Sequence, residues 1–535
     1  MNALAGTGKL ARLILRRDRV LMPLWVIVLG VVPVSYVVSI NELFPTAEGR
    51  QGYADASTGN AGFIALYGPL TGSSVGELVA WRAGFIPVVI GLFSLLTVIR
   101  HTRTEEETGR RELLGATVTG RHAGLAAAVL TTGAAGAVLG VILALGMLGQ
   151  GLPATGSWLF GLQFAVCGWV FTAVGAVAAQ LTESAGGART FAVVTLGVVY
   201  VLRLTGDVSA LSGGPLSWLT WLSPIGWGQK IAPYSGDDPA PAVLAVAVAV
   251  ALVVAAVVLA ARRDVGAGLL PPRLGPAYAG PGLRSPLALA WRLHRGLLAG
   301  WLATFAVVGL LLGGVADSVG DLVAASREMS DIVARLGGVS GLVDGYISAM
   351  MNLFGLIAAA YGVQATLRLR TEESEGRAEP VLGTASGRLR WAGSHLVFAA
   401  VGPAAALVTS GLALGLGFGM SAGDVGGQVA RVLPGALAQL PAVWVLTAVA
   451  VLLTGLLPRL ATVSWAALAL CLLISLVGGA IGVDRWVLDI SPFTHVPHLP
   501  GGEVTATPLV TLTAVAALLA VAGLAALRRR DMPVL

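Results

Sequence analysis

Long apolar runs alternate with short polar segments along the whole chain of 535 residues. Each run is close to 20 residues or longer, which is the length that a helix needs to cross the hydrocarbon core of a bilayer. We therefore predict twelve membrane-spanning helices, of which the short fifth is the weakest. The predicted spans are residues 20–40, 80–100, 123–147, 157–181, 187–205, 241–261, 298–316, 348–367, 394–419, 431–457, 461–483 and 506–527.

The polar segment after the second predicted span is repeated after the eighth. RTEEETGRRE begins at Arg103, and RTEESEGRAE begins at Arg370, 267 residues later. Between 103–121 and 370–388, ten of nineteen positions are identical, where ordinary residue frequencies would give about one or two. The first-copy members are Arg103, Thr104, Glu105, Glu106, Gly109, Arg110, Glu112, Thr117, Gly120 and Arg121.

Further pairs keep a similar spacing across the chain, which indicates an internal duplication. They are Arg263-Asp264 with Arg530-Asp531, Ser223-Pro224 with Ser491-Pro492, and Arg16, Arg19 and Trp25 with Arg292, Arg295 and Trp301. Six spans per copy leave both copies in the same orientation. We predict an all-α integral membrane protein with twelve transmembrane helices as two parallel six-helix repeats, at 1–265 and 286–535, joined by a cytoplasmic linker at 266–285.

Charge is scarce, and the basic residues concentrate on one side of the predicted topology. Residues are 56% hydrophobic and 12% charged, against roughly 25% charged in soluble domains. With the N-terminus in the cytoplasm, the inner segments hold 26 of the 34 Lys and Arg, and 12 of the 28 acids. Because basic residues favour the cytoplasmic side, we predict that both termini are cytoplasmic. The net charge of +6 then reflects topology and gives no reason to expect nucleic-acid binding.

The repeated segment has the pattern of a short charged helix on the inner surface. Thr104 followed by Glu107 fits a capping box, and Glu106–Arg110 and Glu107–Arg111 have the i,i+4 spacing of helical ion pairs. A plain solvated loop that obeys the positive-inside rule is the alternative. That alternative accounts for the arginines but leaves the repeated glutamates without a role.

An acidic pair, a glycine, a glutamate and a hydrophobic pair after the second span resemble the coupling helix of ABC-2-type (type V) exporter permeases. The matching positions are Glu105, Glu106, Gly109, Glu112, Leu113 and Leu114, then Glu372, Glu373, Gly376 and Glu379. Arg110 and Arg377 stand where Thr is common in that family, and Pro380-Val381 interrupts the second hydrophobic pair. The fused two-half length is similar to actinobacterial permeases for polyketide antibiotics and multidrug export, which implies a bacterial plasma membrane.

The resemblance implies a partner. In that family the segment docks on an ATP-binding subunit, so two copies of such a subunit, carrying ATP and Mg²⁺, would serve this chain. The chain itself lacks the GxxxxGK[ST] pattern that cradles phosphates, because Gly8-Lys9 has neither the earlier glycine nor a following Ser or Thr. We therefore predict that the permease is no enzyme and binds no cofactor. His495 and His498 lack neighbouring ligands, so no metal is predicted.

Two further features resemble family elements. Basic segments at 10–20 and 287–297 resemble interfacial elbow helices, carried by Arg12, Arg16, Arg19, Arg292 and Arg295, and ordinary basic membrane anchors are the alternative. The two Ser-Pro pairs, Ser223-Pro224 and Ser491-Pro492, resemble re-entrant outer hairpins, with plain outer turns as the alternative.

By resemblance, the second and fifth spans of each half line the substrate path. Candidate contacts, which are equally explained as packing or lipid-facing residues, are Phe85, Phe93, Phe191, Tyr200, Met350, Met351, Asn352, Phe354 and Tyr361. The expected cargo is a lipophilic drug or antibiotic-like molecule. The alternatives are an exporter of a lipid or glycan precursor, and a twelve-helix secondary carrier of the major facilitator kind. The near absence of acids within the spans disfavours the secondary carrier.

Overall fold

The computed structural model describes residues 2–58, 61–211, 213–270, 277–324, 338–477 and 484–531. The chain divides into two compact units, Met1–Leu274 and Gly275–Leu535. All regular secondary structure in the described ranges is helical. Part of the predicted linker, residues 271–276, lies outside those ranges.

The first unit contains long helices, which are the spans, and short helices between them. Its α-helices are Thr7–Arg17, Leu21–Leu43, Ala47–Thr58, Ala61–Tyr67, Val75–Arg82, Ile86–His101, Arg103–Glu107, Arg110–Gly115, Ala123–Gly149, Ala154–Leu181, Ala185–Leu211, Pro224–Lys230 and Ala240–Ala261, with a 3₁₀ helix at Ser217–Leu222.

The second unit repeats this order with longer continuous helices. Its α-helices are Pro286–Ala324, Gly338–Ser374, Ala378–Leu382, Arg388–Ala422, Val425–Ala438, Leu440–Leu456, Ser464–Val477, Arg485–Leu488 and Ala506–Arg529, with 3₁₀ helices at Pro281–Leu283, Pro458–Val463 and Pro492–His495.

Twelve helical segments in the described residues are long and apolar enough to cross a membrane, and each overlaps one predicted span. The fifth extends over Ala185–Leu211, well beyond the predicted 187–205. Valines such as Val243 and Val254 on the sixth span are exposed, which is the expected surface of a helix that faces lipid. The predicted all-α membrane fold is confirmed, although residues 478–483 of the eleventh predicted span lie outside the described ranges.

The third and fourth spans approach so closely that their backbones meet at two glycines. A Cβ built on Gly161 would lie 2.2 Å from the Gly140 carbonyl oxygen, and one on Gly140 would lie 2.7 Å from the Gly161 carbonyl oxygen. Small residues at such crossings let membrane helices pack without a side chain between them. These two glycines therefore set the separation of the helices.

The predicted elbow helices have different outcomes in the two halves. In the first unit, Thr7–Arg17 is a separate helix, and its Ile14 packs on Ala127 and Ala128 of the third span. In the second unit, the equivalent segment is the start of the continuous helix Pro286–Ala324. The elbow segment of the second half is therefore continuous with its span, and its assignment as an interfacial elbow stays a prediction. The basic side chains Arg12, Arg16, Arg19, Arg292 and Arg295 are all exposed.

The crossing predicts a sharp difference between Gly161 on the fourth span and Gly133 on the third span. Gly161→Ala should lower the midpoint of thermal unfolding in detergent, by roughly 1–3 kcal/mol of overpacking, because its Cβ meets backbone. Gly133→Ala is the control, since its nearest neighbour, Trp169, stays at 3.8 Å. The control should leave the midpoint unchanged or raise it, as alanine favours a helix. Equal midpoints for the two variants would contradict this packing.

Candidate functional site

The two repeated polar segments, 103–115 and 370–382, are called the coupling segments below. In the first unit the second span, Ile86–His101, breaks at Thr102 and resumes as Arg103–Glu107. The chain then turns at Gly109, whose φ of 71° favours glycine, and forms the short helix Arg110–Gly115.

The second coupling segment follows the same course without the first break. Its span continues to Ser374, turns at Gly376 with a φ of 69°, and is followed by the helix Ala378–Leu382. In both halves the glutamate pair therefore belongs to the end of the second span of that half. The short helix comes after the glycine.

The predicted capping box and i,i+4 pairs are wrong. Thr102 precedes the helix without a side-chain cap, and Thr104 lies inside it. Glu107 instead accepts a hydrogen bond of 3.1 Å from the backbone N–H of Ala185, at the start of the fifth span. The turn at Gly109 separates each glutamate from its expected arginine, so the helical spacing no longer holds across it.

Each segment is anchored by a carboxylate–guanidinium pair that sequence spacing did not suggest. Arg263 donates to both carboxylate oxygens of Glu106, at 2.8 and 2.9 Å. Arg530 donates to both oxygens of Glu373, at 2.6 Å each. The partners are 157 residues apart in both halves. Hydrogen bonds from a guanidinium to both oxygens of a carboxylate are among the strongest in proteins, because both partners are charged.

The other glutamate of each pair closes the turn. Glu105 contacts Arg110 at 3.5 Å, and Glu372 contacts Arg377 at 2.9 Å. Glu105 also pairs with Arg17 from the N-terminal helix, at 2.8 Å. Both glutamates are buried, so they hold the segment in place and present little surface to a partner.

A third repeated contact ties the next span to the last one of each half. Arg121 donates to the carbonyl oxygen of Ala261 at 2.8 Å, and Arg388 donates to that of Arg530 at 2.8 Å. Basic side chains commonly satisfy the free carbonyls at a helix C-terminus in this way. The ends of the second, third and sixth spans of each half are thereby joined.

The surface left for a partner differs between the halves. Leu113 is 75% exposed, and its neighbour Glu112 is also exposed, while Leu114 is half-buried. In the second segment Glu379 and Pro380 are exposed. Pro380-Val381 replaces the hydrophobic pair of the family pattern, and the structure shows one consequence. Val381 packs against an apolar cluster of its own unit.

A buried ionic contact links the N-terminal helix to the second span, and sequence analysis missed it. The carboxylate of Asp18 lies 2.6 Å from His101 Nε2 and 3.1 Å from Arg100. Its only sequence signal is a single acid within the basic run RRDR. At the corresponding place in the second unit, His294 Nε2 lies 3.1 Å from His395 Nδ1.

The first-unit candidates for the substrate path do not form one surface. Phe85 packs edge-on against Tyr200, with ring centres 5.9 Å apart. Phe93 stacks on Trp25, and Phe191 is 43% exposed on the fifth span. The path assignment for these four residues stays a prediction.

Beside Tyr200 lies a buried charge that sequence analysis also overlooked. The Arg203 guanidinium donates to the carbonyl oxygen of Ala65, sits over the Tyr200 ring, and lies 3.6 Å from Asp207. The i,i+4 spacing of Arg203 and Asp207 was the available signal. These contacts fasten the segment 61–67, which precedes the second span, onto the fifth span.

The second-unit candidates divide between a cavity and the core. Met350 and Asn352 line a cavity of about 860 Å³, together with Ser348, Phe493 and His498 among others. Three other candidates are fully buried in apolar packing and line no part of it: Met351, Phe354 and Tyr361. The eighth span therefore presents alternate faces to cavity and core.

The Ser-Pro pairs occupy similar positions before the last span of each half. Ser223 and Pro224 begin the helix Pro224–Lys230, and Ser491 and Pro492 begin the 3₁₀ helix Pro492–His495. All four residues are buried. Their assignment as re-entrant hairpins stays a prediction.

The Glu373–Arg530 pair predicts a large loss of stability from a single change. Glu373→Ala leaves the mostly buried Arg530 guanidinium without its carboxylate, which should cost about 3–5 kcal/mol. The exposed Glu379 on the next helix gives the control Glu379→Ala, expected within about 0.5 kcal/mol of the parent. Thermal unfolding of both purified variants measures the difference, and a Glu373→Ala midpoint equal to that of the control would contradict the role of the pair.

Two comparisons relate the chain to known proteins. Residues 283–528 match the family model described as "Multidrug efflux system permease Rv1217c, C-terminal domain". The chain is 42% identical over 532 residues to the "Multidrug efflux system permease protein Rv1217c" of Mycobacterium tuberculosis (strain ATCC 25618 / H37Rv), covering 99% of this chain and 96% of that protein. The resemblance to exporter permeases is thereby confirmed, and the chain belongs to the Rv1217c family of multidrug efflux permeases.

Proposed function

We propose that this permease is the membrane subunit of an ATP-driven exporter, and that a separate ATP-binding subunit docks on its coupling segments. The observation that carries the proposal is the duplicated anchoring of these segments. In each half a buried Glu–Arg pair fixes the end of the second span, and a short helix with exposed residues follows it. A segment held this firmly can pass a displacement from a docked subunit into the span.

The exposed residues, and not the buried glutamates, are the proposed contacts with the ATP-binding subunit. Leu113 and Glu112 in the first segment, and Arg377 and Glu379 in the second, are accessible. Two docking segments fit two copies of the subunit, each with its own ATP and Mg²⁺. The charge distribution supports a cytoplasmic location for this side, since basic residues concentrate there, in the plasma membrane of a bacterium.

The proposed cargo is a lipophilic or amphipathic small molecule that uses the second-unit cavity. A volume of about 860 Å³ is in the range of drug-sized ligand pockets, which combine apolar lining with a few polar groups. Met350 and Phe493 supply apolar contact, and Asn352 and Ser348 supply hydrogen-bonding groups. Methionine adapts to ligands of varied shape, which suits a broad drug range.

The two alternative functions, a secondary carrier and an exporter of lipid or glycan precursors, have less support. Family membership weighs against a secondary carrier of the major facilitator kind. A lipid or glycan precursor remains a possible cargo class within the same mechanism, and a transport assay separates it from drugs. No lysine or arginine is among the described residues that line the cavity, so the lining offers no strong cation to the phosphates of a charged precursor.

Docking predicts that Leu113→Ser weakens retention of the ATP-binding subunit without unfolding the permease. Loss of an exposed leucine at the interface should lower retention about tenfold, equivalent to about 1.4 kcal/mol. The measurement is co-purification from native membranes in mild detergent, with ATP hydrolysis of the complex.

Glu503→Ala is the matched control, since this exposed residue lies in the loop before the twelfth span, on the opposite side in the proposed topology. Full retention in Leu113→Ser would contradict docking at this surface. If the parent permease brings down no ATP-binding protein at all, the proposed ATP-driven function fails.

The cavity predicts different effects for two adjacent methionines. Met350→Ala and Asn352→Leu should change drug efflux several-fold in inverted vesicles, because both residues line the cavity. Met351→Leu preserves volume in the core and should transport normally, as such swaps usually cost under about 1.5 kcal/mol. The same loss of efflux in all three variants would argue against a cargo site at the cavity.

A further inference from the structure

A second cavity, of about 340 Å³, lies in the first unit on the side of the coupling segment. We call it the arginine cavity. It is formed where the second, third, fourth and sixth spans end, beside the coupling segment. Its lining includes Thr102, Arg111, Arg121, Leu125, Ala260 and Arg263.

The second unit fills the same place with an apolar cluster. The buried members of that cluster are Leu369, Ala378, Trp391, Ala392 and Leu527. At the repeat spacing of 267 residues they correspond to Thr102, Arg111, Gly124, Leu125 and Ala260. The duplication therefore supplies two versions of one site, with a cavity in the first unit and an apolar cluster in the second.

The two units differ at a pair of contacting positions, and the two differences compensate each other in size. Arg111 lies over Gly124, where an added Cβ would come within 1.4 Å of its guanidinium. At the matching positions of the second unit, Trp391 occupies the place of the glycine, and Ala378 occupies that of the arginine. A large residue faces a small one in both units. Where the second unit has the packed indole ring of Trp391, the first unit has the guanidinium of Arg111 at the edge of the cavity.

The arginine cavity holds more positive charge than its own carboxylates neutralise. Glu106 is committed to Arg263. In the part of the chain that the structure describes, neither Arg111 nor Arg121 forms an ion pair, and Arg111 donates to the carbonyl oxygen of Arg121 at 3.0 Å. Asp264 is the remaining carboxylate in the lining, and His122 adds a ring nitrogen, Nδ1, that is buried without a partner among the described residues.

The surroundings of Arg111 destabilise its positive charge. Burial lowers the pKa of Arg111, and the nearby Arg263 lowers it further, while Glu106 raises it. Arg111 is half-buried, and a partly desolvated guanidinium gains from a ligand that brings negative charge and several acceptor oxygens. A phosphate group has both properties and fits a cavity of this size.

We propose that the arginine cavity binds a phosphate group, supplied by the headgroup of an anionic phospholipid. The cavity lies at the ends of the third and sixth spans, whose Leu130 and Val258 are exposed in the manner of lipid-facing residues. Basic pockets at the inner ends of membrane helices are a recognised place for such headgroups. The site is specific to the first half and independent of ATP-driven transport.

The test uses the exchange that the chain already contains. Arg111→Ala/Gly124→Trp gives the first unit the residues of the second, which should fill the cavity while packing well. Native mass spectrometry and thermal unfolding are run with phosphatidylglycerol, with phosphatidylcholine, and with soluble glycerol phosphate. The wild type should bind phosphatidylglycerol about tenfold more tightly than the double variant, with no difference for phosphatidylcholine.

The outcomes separate the possible sources of the phosphate. If only soluble glycerol phosphate binds more tightly to the wild type than to the double variant, the site takes a free phosphate, and the lipid assignment is overturned. Equal phosphatidylglycerol affinity in wild type and double variant overturns the site altogether. Should the double variant unfold, Arg111→Gln, which keeps the cavity and removes the charge, decides the question in the same assay. None of these readouts requires an ATP-binding subunit.

Discussion

A buried carboxylate–guanidinium pair in each half fixes the region on which the rest of the site depends. Glu106 with Arg263, and Glu373 with Arg530, join the end of a second span to the residues just after a sixth span. Losing one partner of a buried pair leaves an unpaired charge, at a cost of about 3–5 kcal/mol. Both members therefore have to be kept together, which gives a physical reason for the repeated RTEE and Arg-Asp sequences.

These pairs divide the coupling segments into a fixed part and a contact part. The paired glutamates, Glu105-Glu106 and Glu372-Glu373, are largely buried and form ion pairs within their own unit, so their role is positional. The exposed residues of the segments lie mainly after Gly109 and Gly376, and include Glu112, Leu113 and Glu379. The arginine cavity adds a third element in the first half alone, next to the same Glu106, so that the two halves share an anchor but differ in what surrounds it.

The spans were predictable because length and apolar composition suffice to identify a membrane helix. The contacts of the glutamates were not, because helical spacing fails where Gly109 turns the chain. The repeat itself held the missing signal, since Glu106 and Arg263 both recur at the same 267-residue spacing. Asp18 and Arg203 were missed for another reason. Asp18 pairs with Arg100 and His101, and Arg203 donates to the carbonyl oxygen of Ala65, and sequence spacing does not bring these partners together. Only the i,i+4 spacing of Arg203 and Asp207 was visible in the sequence.

The seventh span is one helix of 39 residues, Pro286–Ala324, whereas the first half has a break between Arg17 and Leu21. At 1.5 Å per residue such a helix is roughly 58 Å long. If a continuous helix of this length tilts as one body, a small rotation at its basic end becomes a much larger sideways displacement at the far end. In the first half the break between Arg17 and Leu21 would take up such a rotation before it reached the span. Equal strokes delivered to the two halves would therefore produce unequal motion on the opposite face of the membrane.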